Sequence, residues 1–234
     1  MKSNVFLVAF CLLFSFKIIS AQSTIFNAPS TDVQEDGRKY LELDFIGHFD
    51  KYEKGGFQTY GWRGTYGIGK KVEVGANLFY THDGSNSVPF SASPNAKWQF
   101  YASEKKKIAA STGVIASVPL NRAAGSRPSA LIYTNVSKEI PGTNGLRTTL
   151  GGYRFFGTEE SEETKNGVFI GIEQPISKRI SFTGDWFSGK NSIGYATPGF
   201  SVVLSNNQIF GIGYNIGNSG RGNNSLTTYY GLTF

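Results

Sequence analysis

From about residue 40 onward, apolar and polar residues alternate along short segments of the chain. In the first segment, Leu41, Leu43 and Phe45 alternate with Glu42 and Asp44, and the same period recurs up to the C-terminus. A period of two is typical of β-strands with one apolar and one polar face. Counting these segments predicts about twelve strands of roughly ten residues each, the length of a tilted strand that crosses a bilayer.

The connections between the predicted strands alternate between longer and shorter stretches. Residues 49–56 and 81–95 form long connections, whereas 69–71 and 103–107 form short ones. The connection at 137–145 is intermediate and fits this order less well. The alternation predicts an antiparallel arrangement in which the short turns lie at one end and the longer loops at the other. Ten or fourteen strands remain alternatives, because strand boundaries are the weakest part of such a prediction.

The first 21 residues differ from the rest of the chain. Lys2 precedes an apolar run from Val5 to Ile19, and Ser20 and Ala21 close it. This layout predicts a secretory signal peptide, with an uncleaved N-terminal anchor as the alternative. We therefore expect a signal peptide at 1–21, a periplasmic N-terminal segment at 22–38 and a transmembrane barrel at 39–234.

Composition narrows the fold class further. The chain has 29 Gly, 19 Phe and 12 Tyr, but one Met and one Cys. The single cysteine, Cys11, lies in the predicted signal peptide, so the remainder can form no disulfide. No apolar stretch after residue 22 approaches the length of a membrane-spanning helix, and strands cross a membrane only as a closed barrel. The sequence therefore predicts an all-β protein, an antiparallel transmembrane β-barrel of about twelve strands with short periplasmic turns and longer external loops.

The C-terminal residues carry a resemblance to a known family. The chain ends in Tyr230-Gly231-Leu232-Thr233-Phe234, with a terminal aromatic residue and apolar residues at every second position before it. This ending resembles the C-terminal insertion signal of bacterial outer-membrane β-barrel proteins, although no characterised porin-like subfamily is indicated. The resemblance implies that Tyr230, Leu232 and Phe234 form an assembly signal read by the barrel-assembly machinery. It also implies location in the bacterial outer membrane, with outer-membrane lipid around the barrel.

Most charged residues on the predicted strands share one parity. Arg154 has the opposite parity to Arg147 on the same strand, which predicts a bulge or a strand end between them. Placing the residues of the shared parity inside is expected, because an Arg or Lys facing lipid costs roughly 2–4 kcal/mol near the bilayer midplane. They could line a solute path, or pair across the interior and close it; twelve strands leave only a narrow lumen. The predicted lumen-lining residues are Glu42, Asp44, Arg63, Glu73, Lys97, Arg147, Glu173 and Asp185.

Signals for catalysis, metals or cofactors are weak. His82-Asp83 with Ser85 or Ser87 could be arranged for hydrolysis, as could His48, but solvated loop residues explain them better. No metal-ligand spacing is present and no cofactor is predicted. The acidic residues Glu159, Glu160, Glu162 and Glu163 could bind a divalent cation or a partner, but a solvated loop explains them better. The net charge is +6, and without Lys2 and Lys17 it becomes 6 − 2 = +4, which does not predict nucleic acid as a partner.

Three hypotheses about function follow from these patterns. The first is a narrow porin-like channel for small polar solutes, based on the lumen charges and the many glycines of the predicted inner face. The alternative is a plugged barrel with a structural or surface-interaction role, which would use loops such as 81–95. The third, which the residues support least, is an outer-membrane lipid-modifying enzyme.

Overall fold

The computed structural model describes residues 24–125, 127–157, 164–218 and 224–234, and these form a barrel of twelve strands. Two short 3-10 turns, Tyr52–Lys54 and Arg122–Ala124, lie in the connections. Among these residues no helix has the length and hydropathy of a membrane span. The strands are β1 (Lys39–His48), β2 (Phe57–Ile68), β3 (Val72–His82), β4 (Phe90–Ser103), β5 (Ile108–Pro119), β6 (Ser129–Glu139), β7 (Arg147–Phe156), β8 (Asn166–Pro175), β9 (Ile180–Phe187), β10 (Tyr195–Ser205), β11 (Gln208–Gly217) and β12 (Ser225–Thr233).

Every strand pairs antiparallel with its neighbours along the chain, and the first and last strands close the barrel. Leu43 of β1 lies opposite Tyr230 of β12, and Tyr40 lies opposite Thr233. Closure satisfies the backbone groups of the sheet without leaving an open edge. The predicted fold class, an antiparallel barrel of about twelve strands, is confirmed.

The two ends of the barrel differ in their connections. At the end where β1 begins and β12 ends, the turns include residues 69–71, 104–107, 176–179 and 206–207; we call this the short-turn end. The opposite end, the long-loop end, carries the connections from odd-numbered to even-numbered strands. The β6–β7 connection at 140–146 belongs to the short-turn end despite its greater length.

Alternation along the strands separates an apolar outer surface from a polar interior. Leu41, Trp98 and Leu150 point outward and are 52%, 52% and 55% exposed, while neighbouring Glu42 and Lys97 are buried. Trp62 and Trp186 also belong to the exposed apolar surface. This band of exposed apolar side chains fits lipid, because a soluble protein rarely leaves so continuous an apolar surface in water.

Strand β4 departs from its expected pattern. It begins at Phe90 and includes Pro94, so the predicted loop at 81–95 is shorter, with residues 83–89 between β3 and β4. A bulge follows at Trp98. Trp98 pairs with Thr112 and Tyr101 pairs with Ala110, so β4 advances by three residues while β5 advances by two. Strict alternation would give Tyr101 the same inward direction as Lys97. The extra residue of the bulge turns it outward instead, where it is 40% exposed.

Strand β7 is more regular than expected. The opposite parity of Arg147 and Arg154 predicts a bulge or a strand end between them, but β7 pairs with β6 in unbroken register over that span. Arg147 points inward, whereas Arg154 is exposed near the long-loop end and lies over the Phe156 ring at 5.1 Å. An outward arginine is tolerated there because it is close to the edge of the apolar band.

The segment before β1 occupies the barrel interior. Of the expected periplasmic segment at 22–38, the described part begins at Thr24, and Ile25, Phe26, Ala28, Thr31 and Gln34 are all buried. The chain leaves at the short-turn end, where the N–H of Gly37 donates to the Gly67 carbonyl at 3.1 Å. The described part of the predicted segment at 22–38 therefore lies within the barrel. We call residues 24–36 the plug segment and residues 24–29 its tip.

Candidate functional site: the barrel interior

The eight charged residues of the predicted inner face all point into the barrel and lie buried or half-buried. Those on β1 to β4 pair with one another. The Arg63 Nε lies 2.5 Å from Asp44 Oδ2 and 3.5 Å from Glu42 Oε1, and Tyr40 donates its hydroxyl to Glu42 at 2.5 Å. On the neighbouring strands, Lys97 Nζ lies 3.5 Å from Glu73 Oε1. These ion pairs stay within the wall of the barrel.

The tip of the plug segment is a tight turn. Thr24 and Pro29 form an antiparallel bridge, and the N–H of Ile25 donates to the carbonyl of Ala28 at 2.8 Å. Ala28 packs into a buried cluster whose other members are side chains of the barrel wall. The wall members of this cluster are Leu131, Tyr133, Tyr153, Phe169 and Phe187.

Asp185 of β9 binds the backbone of the tip. Its Oδ2 accepts hydrogen bonds from the backbone N–H groups of Phe26, Asn27 and Ala28, at 3.0, 2.6 and 2.7 Å. A carboxylate with several backbone N–H donors is a strong, charge-assisted arrangement. Asp185 therefore binds the backbone of the tip, a contact that its place on the predicted inner face did not indicate.

Neutral side chains of the wall add to this contact. The amide of Asn27 donates to Thr197 Oγ1 at 2.9 Å and to Asn215 Oδ1 at 3.3 Å. Asn135 donates to the carbonyl of Pro29 at 2.6 Å. The backbone of the tip, which lacks a strand partner in the wall, thereby finds partners among side chains.

The remainder of the plug segment is bound closer to the short-turn end. Arg147 forms a two-pronged contact with the Asp32 carboxylate, and its Nη1 lies 3.7 Å from Glu173 Oε2. The hydroxyls of Thr31 and Ser137 are 2.6 Å apart. The N–H of Gln34 donates to Glu73 at 3.0 Å. Arg147 and Glu73 thus bind the segment, whereas Glu173 contacts Arg147 and not the segment itself.

Glycines of the inner face provide the space that the tip fills. A Cβ atom at Gly171 would lie 2.1 Å from Ile25 Cδ1, and one at Gly199 would lie 2.6 Å from Phe26 Cζ. Both contacts are closer than carbon atoms approach without a clash. At these two positions the space beside the glycine is therefore filled by plug side chains, whereas at Gly151 and Gly211 it is filled by the wall residues Phe169 and Tyr229.

One cavity remains between the tip and the wall formed by β1 to β4. Its volume is about 300 Å³, and Thr24, Asn27 and Pro29 of the tip border it. The β1–β4 side is mainly polar, although Tyr40 and Phe79 also line it. The other side is mainly apolar and aromatic, although Ser117, Ser129 and Ser192 also line it. The further polar residues of the β1–β4 side are Glu42, Arg63, Thr65, Asn77, Ser93, Asn95 and Lys97.

The two histidines lie at the long-loop end, where the described contacts are with aromatic rings and backbone carbonyls. The ring of His82 contacts Tyr52 edge-on at 5.0 Å, and Ser85 donates its hydroxyl to the carbonyl of Ser87. Hydrogen bonds from Ser85 hold the pKa of the Asp83 carboxyl below its ordinary value. The Nδ1 of His48 contacts the backbone carbonyl of Asn224. In the described part of this loop region, no serine hydroxyl is directed at either histidine.

Two further expectations concern metals and the C-terminus. Within the described ranges, no cluster of His, Cys, Asp and Glu could hold a metal ion, and Glu159 to Glu163 lie outside those ranges. Phe234 is 58% exposed, and its backbone pairs with Lys39 through hydrogen bonds of 2.8 and 3.2 Å. Tyr230 and Leu232 lie on the outward face of β12.

Comparison with known proteins gives structural neighbours only. No family model matches the chain, and no curated protein matches it. Similar solved structures include a KdgM porin in complex with disordered oligogalacturonate, at TM-score 0.55 and 9% identity, covering 84% of this chain and 98% of that one. They also include the COG4313 outer membrane channel from Pseudomonas putida F1, at TM-score 0.55 and 12% identity, covering 88% and 98%.

A third neighbour is an enzyme. The Salmonella typhi outer membrane phospholipase dimer with bound calcium matches at TM-score 0.50 and 11% identity, covering 85% of this chain and 90% of that one. At such low identities these likenesses show the fold alone. The fold is a twelve-stranded antiparallel barrel of the kind found in bacterial outer-membrane proteins.

Proposed function

We propose that this protein is an outer-membrane channel for small polar solutes, closed in this conformation by its own plug segment. The observation that carries the proposal is that an N-terminal segment, rather than side chains of the wall alone, fills the middle of the lumen. The wall behind the segment is polar, with Thr149, Thr197, Asn135 and Asn215 among its buried residues. Movement of the segment would therefore uncover a hydrophilic path through the barrel.

The same proposal places the short-turn end in the periplasm. An even number of strands brings both chain ends to that side, and bacterial barrels have short periplasmic turns. The apolar outer band supports insertion in lipid, and the signal-peptide pattern at 1–21 supports export. That two of the structural neighbours are described as a porin and a channel supports solute passage, although it names no solute for this chain.

A permanently plugged barrel with a structural or surface role is the second candidate. The number of buried contacts around the plug segment favours it, since Asp185 and Arg147 both bind the segment through charge-assisted hydrogen bonds. The two candidates differ in one respect. In a channel the segment must leave the lumen on the time scale of transport, whereas in a structural barrel it stays.

Planar-bilayer recordings on refolded protein distinguish the two candidates. We expect brief openings for the chain starting at residue 22 and a larger, steady conductance for a variant that also lacks residues 24–32. A Thr31→Cys, Ser137→Cys variant should close when oxidised and recover its openings when reduced, because the disulfide would fix the segment to the wall. Since the chain after residue 21 has no cysteine, the single variants serve as controls. Background conductance from all of these proteins would reject the channel and support the plugged barrel.

We also propose that Tyr230, Leu232 and Phe234 form the assembly signal. The exposed ring of Phe234 at the short-turn end supports this proposal, because a recognition signal must be accessible before the barrel closes. Deleting Phe234 should lower the yield of heat-modifiable barrel in cells, whereas Thr233→Ser should not. An unchanged yield after the deletion would reject the signal.

A further inference from the structure

The cavity beside the tip of the plug segment is a candidate binding site in its own right. It lies between the tip and the inner faces of β1 to β4, and about 300 Å³ of space remains there. This volume lies at the lower end of the range of small-molecule sites in proteins. The site needs no movement of the plug segment, because the tip itself forms part of its lining.

The charged groups around the cavity already have partners. Arg63 is paired with Asp44 and Glu42, and Lys97 is paired with Glu73. An ionic ligand would have to compete with these ion pairs, and separating a buried pair is costly. The electrostatics of the cavity therefore favour a ligand without net charge.

The neutral polar groups of the cavity retain hydrogen-bonding capacity. The buried Thr65 hydroxyl has no hydrogen-bond partner among the described residues. The Asn95 amide reaches Asn77 Oδ1 only at 3.5 Å and the Ser93 carbonyl at 3.3 Å. Buried hydroxyl and amide groups normally have good partners, so these groups could bind hydroxyls of a ligand.

The opposite side of the cavity is mainly aromatic and aliphatic, with three serines, at 117, 129 and 192, among its lining residues. Tyr133, Phe155 and Phe187 border it there, with Ile115 and Leu131 beside them. A ligand that fits both sides presents hydroxyls to one and C–H groups to the other. A hydroxylated ring has such a C–H face, and this face packs well against aromatic side chains.

We propose that this cavity binds an uncharged, hydroxyl-rich small molecule of the size of a monosaccharide or disaccharide. Thr65, Asn77, Ser93 and Asn95 hydrogen-bond its hydroxyls, and the aromatic side contacts its C–H face. The proposal goes beyond solute passage, since binding in the cavity leaves the plug segment in place.

Calorimetric titration of the refolded full-length mature chain tests this proposal. The protein is held in a detergent without a sugar headgroup, and the probes are glucose, sucrose, galacturonate and glycine betaine. We expect saturable binding of one uncharged sugar per chain, with weaker or absent binding of the anionic and zwitterionic probes. Thr65→Val and Asn77→Ala should each weaken the binding by about three- to tenfold, the effect of one neutral hydrogen bond.

The structure offers a closely matched control. Thr183 also points inward, is buried and has a hydroxyl without a partner among the described residues, but it does not line the cavity. Thr183→Val should keep the affinity within about twofold. Heat-modifiable migration of each variant shows that it has folded.

Three results would overturn the proposal. They are the absence of saturable binding of both uncharged sugars, a preference for galacturonate or glycine betaine, and equal weakening by Thr65→Val and Thr183→Val. Binding is measured without current, so its failure is separate from a failure of the channel. A barrel that binds sugar but never conducts would keep this site and lose the proposed transport function.

Discussion

The two halves of the lumen differ in what fills them and in what their charged side chains bind. On β8 to β11, the inner face has glycines at 171, 199 and 213 and binds the tip of the plug segment through Asp185, Thr197 and Asn215. On β1 to β4, the inner face carries larger side chains such as Arg63 and Phe79, which contact each other at 5.7 Å. The β8–β11 half therefore binds the tip of the plug segment. The β1–β4 half is held by its own ion pairs, binds the segment farther from the tip through Glu73, and keeps a cavity.

This difference shows that lumen charges have two distinct uses. Arg63 and Lys97 bind carboxylates of neighbouring strands, so their partners are present in any barrel that closes with this register. Arg147 and Asp185 bind the plug segment, more than a hundred residues away in the chain. Substitutions in the second group should release the plug segment, and those in the first should leave it bound.

The largest effect is expected for Arg147→Met. It removes the cation between Asp32 and Glu173 and leaves two half-buried carboxylates without their partner. We expect the free energy of unfolding in vesicles to fall by about 3 kcal/mol, measured by denaturant titration with tryptophan fluorescence. Arg154→Met on the same strand, at an outward position, should change it by less than about 0.5 kcal/mol. Equal effects of the two substitutions would contradict the role given to Arg147.

Asp185→Asn should have a smaller effect, concentrated on the tip. The amide replaces a charged acceptor of three backbone N–H groups and introduces donors of its own. A loss of about 2 kcal/mol would speed hydrogen exchange at residues 26–28 by more than about tenfold.

Asp44→Asn is the matched control for Asp185→Asn, because Asp44 is also an inward, buried carboxylate but pairs with Arg63 of the wall. We expect the tip to keep its protection from exchange in this variant. Mass spectrometry of the peptides covering residues 24–34 provides the measurement. Faster exchange of the tip in Asp44→Asn than in Asp185→Asn would contradict the division of the lumen.

Gly171→Val should have the smallest effect of the three. Its added carbons meet the flexible end of the Ile25 side chain, which can turn away at a cost of about 1 kcal/mol. Gly152→Val, on the outer face of β7, meets only the Gly167 carbonyl at 3.8 Å and should be neutral. The same denaturant titration measures the free energy of unfolding of both variants. A larger loss for Gly152→Val than for Gly171→Val would contradict the assignment of Gly171 to the crowded inner face.

The barrel could be predicted from the sequence because its signals are local. Alternation along each strand sets which side chains face lipid, and the lengths of the connections set the order of the turns. Where the prediction was wrong, a local exception was responsible. The bulge after Trp98 turned Tyr101 outward, and the small residues around Pro94 concealed the start of β4.

The plug segment could not be predicted in the same way. Its residues show no alternation, and its partners are side chains on strands from β2 to β11 that only the closed barrel brings together. Two signals in the sequence point to it: the apolar Ile25 and Phe26 outside the predicted strands, and the inner-face glycines at 171, 199 and 213. For the same reason, the inward parity of Asp185 predicted its location but not its partner.

Disulfide trapping between Thr31→Cys and Ser137→Cys tests the position of the plug segment most directly. Their hydroxyls are 2.6 Å apart, so two sulfur atoms in these places need only a small shift to reach the bond length of about 2.05 Å. We expect rapid, nearly complete cross-linking in outer membranes, read as altered migration after cleavage between the two positions. Thr31→Cys paired with Ser201→Cys, an inward residue of β10, should remain uncross-linked. Failure of the first pair, or equal trapping of both, would contradict a plug segment bound in the lumen.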